Sequence, residues 1–214
     1  MTHIEMFITS LLLSIIKEKY NVFYGGKMTT KYYNNPKPKE WTSDLSRHKY
    51  ADWKFPSVSD GLGVRGSLFV SGCPFHCLNC FNSSIWNFNN GKDFTKEIED
   101  KIISDLSKPY VKGLTLLGGE PFLSTPILLP LIKRVRKELP DKDIWSWTGY
   151  TWEELMLDTD DKLEMLSLID VLVDGRYDQR FADGDHPFRG SGNQRIIDVQ
   201  KSLKENTLVM HMLN

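Results

Sequence analysis

Cysteine is scarce in this chain of 214 residues: there are three thiols, all inside one octapeptide, and none elsewhere. A disulfide would use two of them and strand the third, which excludes a disulfide-stapled secreted domain. An excess of either charge is also missing. Lys and Arg number 27 against 28 Asp and Glu, a net charge of −1 that offers no global attraction to nucleic acid or to an anionic membrane. Long hydrophobic runs are absent too. The most apolar stretch (Met6-Phe7-Ile8, Leu11-Leu12-Leu13, Ile15-Ile16) stops at Lys17-Glu18-Lys19, short of the about 20 residues a membrane helix needs. It lacks the basic start and small-residue cleavage site of a signal peptide. No internal repeat or low-complexity tract is visible. What remains is a soluble enzyme's composition, long enough for one domain or a domain with an appendage. Its clustered thiols suit a reducing compartment, the cytoplasm.

What is present begins with that octapeptide, Cys73-Pro74-Phe75-His76-Cys77-Leu78-Asn79-Cys80. Its spacing lets three thiolates curl around one metal centre. Structural zinc takes four ligands; His76 is the local candidate for the fourth, in a loop too tight to aim four neighbouring side chains easily at one ion. A 4Fe-4S cubane normally takes one cysteine per iron, so three leave one iron free to bind amino and carboxylate groups of a small molecule. The spacing favours the cluster, and a zinc-stabilised binding module with Cys73, Cys77, Cys80 and His76 as ligands stays open.

The flanking chain reads as alternating strands and helices. Residues 1–45 are expected to be an appendage, helical at the start and loosely ordered after it, and residues 46–214 the functional domain. Ser67-Leu68-Phe69-Val70 reads as a buried strand running into the cysteines, and residues 94–106 as an amphipathic helix with Ile98, Ile102, Ile103 and Leu106 on its apolar face. A strand over 113–117 ends in Gly118-Gly119-Glu120-Pro121, and a helix over about 126–139 shows Lys133, Arg134, Arg136 and Lys137 as a basic, solvated face. Residues 143–147 read as a strand delivering Thr148-Gly149-Tyr150, with Trp145 and Trp147 packing on one face. A helix over 152–157, a further segment over 162–168 and a strand over 171–173 ending in Asp174-Gly175-Arg176 follow. Helices of this length between strands predict right-handed crossovers and a largely parallel sheet. About 160 residues are too few for a closed barrel of ~250, which leaves an open, partial one. Parallel strands deliver all four unusual loops to one edge, where α/β folds place their chemistry. Paired glycines there let the backbone approach a ligand closely. His48, His76, His186 and His211 show no pairing suited to acid-base work.

The Cys-x3-Cys-x2-Cys loop, Phe81 after its last cysteine and the Gly-Gly-Glu-Pro turn resemble the radical S-adenosylmethionine (radical SAM) enzymes. Further stretches narrow the resemblance to activating proteins of the anaerobic (class III) ribonucleotide reductase. These are Gly61-Leu62-Gly63-Val64-Arg65, residues 147–155 (WTGYTWEEL), residues 170–176 (DVLVDGR) and residues 188–195 (FRGSGNQR). The resemblance runs from about residue 49 to 199. It implies an α/β fold of the open partial (β/α) barrel type, a 4Fe-4S cluster on Cys73, Cys77 and Cys80, and S-adenosylmethionine on the fourth iron. Gly118, Gly119 and Glu120 would meet its amino end, with Asn79 and Phe81 on the adenine side; Phe81 replaces a tyrosine common in relatives, keeping the ring and losing the phenol. The implied reaction is reductive cleavage to a 5'-deoxyadenosyl radical, which takes a hydrogen atom from a glycine of the reductase. The implied partners are that reductase and a small electron donor such as a flavodoxin. Activation of a pyruvate formate-lyase-type enzyme is the alternative within the same chemistry. The segment 176–195, rich in Arg, Gly, Ser, Asp and Asn, reads either as the mouth for a peptide loop or as ordinary surface.

Overall fold

The computed structural model describes residues 34–182 and 184–213. The apolar stretch expected to open the chain as a helix lies outside the described residues. Within them, seven strands form one sheet: β1 (Lys49–Ser57), β2 (Val64–Val70), β3 (Lys92–Asp93), β4 (Val111–Gly118), β5 (Asp143–Trp147), β6 (Val171–Asp174) and β7 (Arg195–Asp198). Their order is β3-β1-β2-β4-β5-β6-β7, a sheet that does not close on itself. β2, β4, β5 and β6 pair in parallel, and these are the four strands the sequence predicts. β1, β3 and β7 add antiparallel margins. Sequence periodicity misses these three because β1 is half-exposed and carries Pro56, β3 has only two residues, and β7 offers only Ile196 and Ile197 between charged residues.

Among the described residues five α-helices follow in chain order: α1 (Lys96–Leu106), α2 (Thr125–Glu138), α3 (Trp152–Met156), α4 (Asp160–Ser167) and α5 (Val199–Glu205). They take up one face of the sheet because strand side chains alternate. Leu68, Val70, Leu114, Leu116, Ile144 and Leu172 join Ile102, Leu106, Leu128, Leu131 and Leu166 in one core. Each side chain buried this completely contributes roughly 1.5–3 kcal/mol. The opposite face carries a smaller cluster of Trp145, Val171, Val173 and Ile196, covered by Leu62, Trp147, Phe188 and Leu213. Trp145 and Trp147 lie 5.9 Å apart and pack there, as their alternation predicts.

Arg65 is buried on that second face and ties the lower ends of three strands together. Its Nε donates to Thr115 Oγ1 at 2.7 Å, Nη2 to the Leu114 carbonyl at 2.9 Å, and Nη1 pairs with Asp143 at 2.6 Å. The turn before it is drawn in as well: the Ser57 and Ser67 hydroxyls both donate to Asp60 at 2.7 Å. Gly61, at φ +120°, would place a Cβ 3.0 Å from Arg65 Cδ, so this turn requires glycine.

The basic face of α2 is only partly solvated surface. Arg136 donates to the Leu168 carbonyl at 2.7 Å and pairs with Asp170 at 2.7 Å, clasping α2 to the chain entering β6. Arg134 pairs with Glu99, Asp100 and Glu138. Sequence periodicity marks these residues as outside the apolar stripe but cannot show that another element lies there. No helix among the described residues is long and apolar enough to cross a membrane.

Candidate functional site

The parallel strands end at one edge, and the loops delivered there are bound to one another. β2 leads through Ser71 and Gly72 into the cysteines. The Gly72 and Cys73 N–H groups donate to the Ile85 and Trp86 carbonyls, both at 2.9 Å, so a downstream turn fixes the loop's entry. The Cys80 N–H donates to the Cys77 carbonyl at 3.1 Å, closing the second half of the motif. His76 and Asn79 take left-handed backbone conformations at φ +51° and +58°. All three cysteines are free thiols; Cys77 is buried, and Cys73 and Cys80 are half-buried. His76 is exposed, with its ring 4.7 Å from that of Trp86. Among the described residues, no three His, Cys, Asp or Glu side chains form a cage for a single ion.

Burial raises the Cys73 thiol well above its ordinary range and pushes Cys77 up to about 12. Buried thiolates here would need a compensating positive centre such as a metal. Backbone N–H groups partly offset this burial, that of Phe75 toward Cys73 and those of Tyr177 and Cys77 toward Cys77.

The glycine turn after β4 abuts this loop. The Gly119 N–H donates to the Val70 carbonyl at 2.8 Å and the Glu120 N–H to the Gly72 carbonyl at 2.7 Å. A Cβ on Gly119 would stand 2.3 Å from the Gly72 oxygen, so only glycine permits the approach. Gly118 and Gly119 remain partly open to solvent, while Glu120 turns inward and is fully buried. Its carboxylate accepts from Thr148 Oγ1 at 2.7 Å and from the N–H groups of Gly149 at 2.8 Å and Phe122 at 3.0 Å. Glu120 thus joins the ends of β4 and β5. Burial pushes it up to about 7.

Asn79 and Phe81 sit on the other side of the cysteines. Phe81 is 81% exposed and touches Tyr177 edge-on at 5.6 Å, and Asn79 Nδ2 donates to Gln179 Oε1. A shallow pocket lined by Leu78, Tyr177, Asp178, Gln179 and Arg180 opens beside them. The segment beyond β6 is knitted together: Asn193 donates to the Arg176 carbonyl at 2.9 Å, Gln194 to the Gly175 carbonyl at 2.8 Å, and the Asp178 N–H to Ser191 Oγ at 3.1 Å. The polar residues of 188–195 therefore hold the strand end in place.

Several contributors escape sequence reasoning. Phe75, inside the cysteine motif, is buried between the Arg176 guanidinium at 4.6 Å and the rings of Trp41 and Tyr150, each at 5.0 Å. Arg176 is itself gripped by both Glu154 oxygens, at 2.8 and 2.9 Å. An aromatic residue flanked by cysteines is the one sequence signal that points to Phe75.

Comparison with known proteins agrees with this geometry. The model of the 4Fe-4S single cluster domain family matches residues 59–197. A Vibrio cholerae protein named anaerobic ribonucleoside-triphosphate reductase-activating protein is 48% identical over 157 residues, 71% of this chain and 97% of its own length. The Escherichia coli (strain K12) protein of the same name is 44% identical over 157 residues, with the same coverage. That of Enterobacteria phage T4 is 41% identical over 139 residues, 64% of this chain and 85% of its own.

Proposed function

Because the chain belongs to the family of anaerobic ribonucleoside-triphosphate reductase-activating proteins, we propose that it is a radical SAM activase that installs a glycyl radical on that reductase. The observation that carries this is the junction of a three-cysteine loop with the open Gly118-Gly119 turn, sealed by the Glu120-to-Gly72 hydrogen bond at 2.7 Å. Cys73, Cys77 and Cys80 would hold a 4Fe-4S cluster with S-adenosylmethionine beside it. Reduced by an external electron donor, such a cluster would supply the electron for reductive cleavage of S-adenosylmethionine to methionine and the 5'-deoxyadenosyl radical that abstracts hydrogen from a reductase glycine.

The chain's own residues bind and orient. Gly118 and Gly119 offer backbone to the amino end of the methionine moiety, and Glu120 fixes that turn from behind. Asn79 and Phe81 line the adenine side, Phe81 with a ring and no hydroxyl. The open, partial barrel of 46–214 leaves the strand ends accessible to a peptide loop, and a flavodoxin-like protein in the cytoplasm delivers the electron. The family relationship favours the ribonucleotide reductase over a pyruvate formate-lyase-type target.

Anaerobically reconstituted protein is expected to be brown with about four irons per chain. Mixed with the reductase, dithionite and S-adenosylmethionine, it should generate a glycyl-radical resonance; its absence rejects the assignment. Cys77→Ala should lose both iron and resonance.

A further inference from the structure

Residues 34–45 precede the family-matched region and lie across the cysteine loop. The Asn34 N–H donates to the Phe75 carbonyl at 3.1 Å, and Asn34 Nδ2 donates to the Pro74 carbonyl at 2.6 Å. Two backbone acceptors between Cys73 and Cys77 are thereby satisfied from outside the loop. Trp41 then packs edge-on against Phe75 at 5.0 Å and Tyr150 at 6.5 Å. Beyond it the segment is anchored: a short 3-10 turn over Ser43–Leu45 packs against the turn after Glu120.

The strongest anchor is Lys162. Its ammonium is fully buried and has three partners: Asp158 at 2.9 Å, the Tyr150 hydroxyl at 3.1 Å and the Trp41 carbonyl at 2.5 Å. A buried ammonium requires paired, hydrogen-bonding surroundings. One of those partners is the backbone of a segment outside the matched domain, so the strap's position is coupled to the core.

We propose that residues 34–45 are a strap that holds the cysteine loop in its ligand-ready form, with Trp41 and Lys162 as its positioning residues. They act on the thiols through Phe75: Trp41 closes the outer side of that ring, and Lys162 fixes Trp41. With the strap in place, the 74–75 backbone is held against the core, and the thiols, buried Cys77 above all, become more open to reagents when it lifts. Its bearing on the cluster rests on the activase reading above; its bearing on the thiols does not.

The first test therefore uses the full chain without iron. Alkylation of its cysteines, followed residue by residue by mass spectrometry, should run roughly tenfold faster in Trp41→Ala, because local opening controls access to protected groups. Trp41→Phe, which keeps an apolar ring, should stay within about twofold of wild type. Asn34→Gly removes the side-chain hydrogen bond to Pro74 and should fall between them; it also keeps the test decisive should Trp41→Ala fold poorly by circular dichroism. Equal alkylation rates in wild type, Asn34→Gly and every folded Trp41 variant overturn the proposal. After reconstitution, Trp41→Ala should bleach faster in air and show an altered resonance of the reduced cluster, with Trp41→Phe restoring both. A wild-type protein that takes up no iron would defeat the cluster reading while leaving the thiol result to decide the strap.

Discussion

Glu120 carries the sharpest conflict between a residue's chemistry and its surroundings. Three donors converge on a carboxylate that has no exposure to water. Burial nevertheless pushes its pKa from 4.5 up to about 7. An acid held above its unfolded value binds its proton more tightly in the folded state. Its contribution is complete below pH 4.5 and is lost as pH rises through 7. Urea unfolding of wild type between those pH values should lose about 3 kcal/mol more than Glu120→Gln, which cannot titrate. Equal slopes would show that the donors keep Glu120 ionised throughout. The amide places an N–H against a backbone donor, so Glu120→Gln should also cost about 1–3 kcal/mol at pH 5.

At the scale of elements, the end of β6 depends on a clamp between residues far apart in sequence. Asp174 is buried; its carboxylate caps α3 by accepting the Trp152 N–H at 2.7 Å and accepts from Arg195 Nε at 3.0 Å. Arg195 reaches on to both oxygens of Glu153, at 3.0 and 2.8 Å. α3 starts with a capping box in which Thr151 and Glu154 satisfy each other's backbone N–H groups, and Glu154 also grips Arg176. Strand end, helix start and the support of the cysteine loop thus share one charged network. Arg195→Met leaves Asp174 buried and unpaired and should destabilise the protein by about 3–5 kcal/mol in denaturant unfolding. A loss below 1 kcal/mol would mean that the Trp152 N–H alone satisfies Asp174.

For the whole molecule, the site is a junction of loops from β2, β4, β5 and β6, so ligation there should stabilise all four strand ends together. A tightly bound cluster is expected to raise the melting temperature by about 5–10 °C over iron-free protein, because a ligand that binds only the folded state shifts the equilibrium. An unchanged melting temperature in iron-loaded protein would show that the loop opens independently of the sheet.

The four parallel strands were legible because each is a short apolar run closed by glycine or a turn. The cysteine loop at the strand edge was legible because all three thiols fall in one octapeptide. The bracing roles of Arg136 and of residues 188–195 were not legible, because they show only once the elements they bind are placed beside them. The role of Phe75 was hidden for a related reason, since its partners Trp41, Tyr150 and Arg176 come from three distant segments. The sequence alone determined which groups can ligate a cluster, since thiol spacing is a local property of the chain. Only the tertiary structure decided that Glu120 faces inward, that Gly119 must meet Gly72, and that a segment outside the matched domain lies over the cysteines. Those are matters of burial and close approach, which exist only once distant segments are packed together.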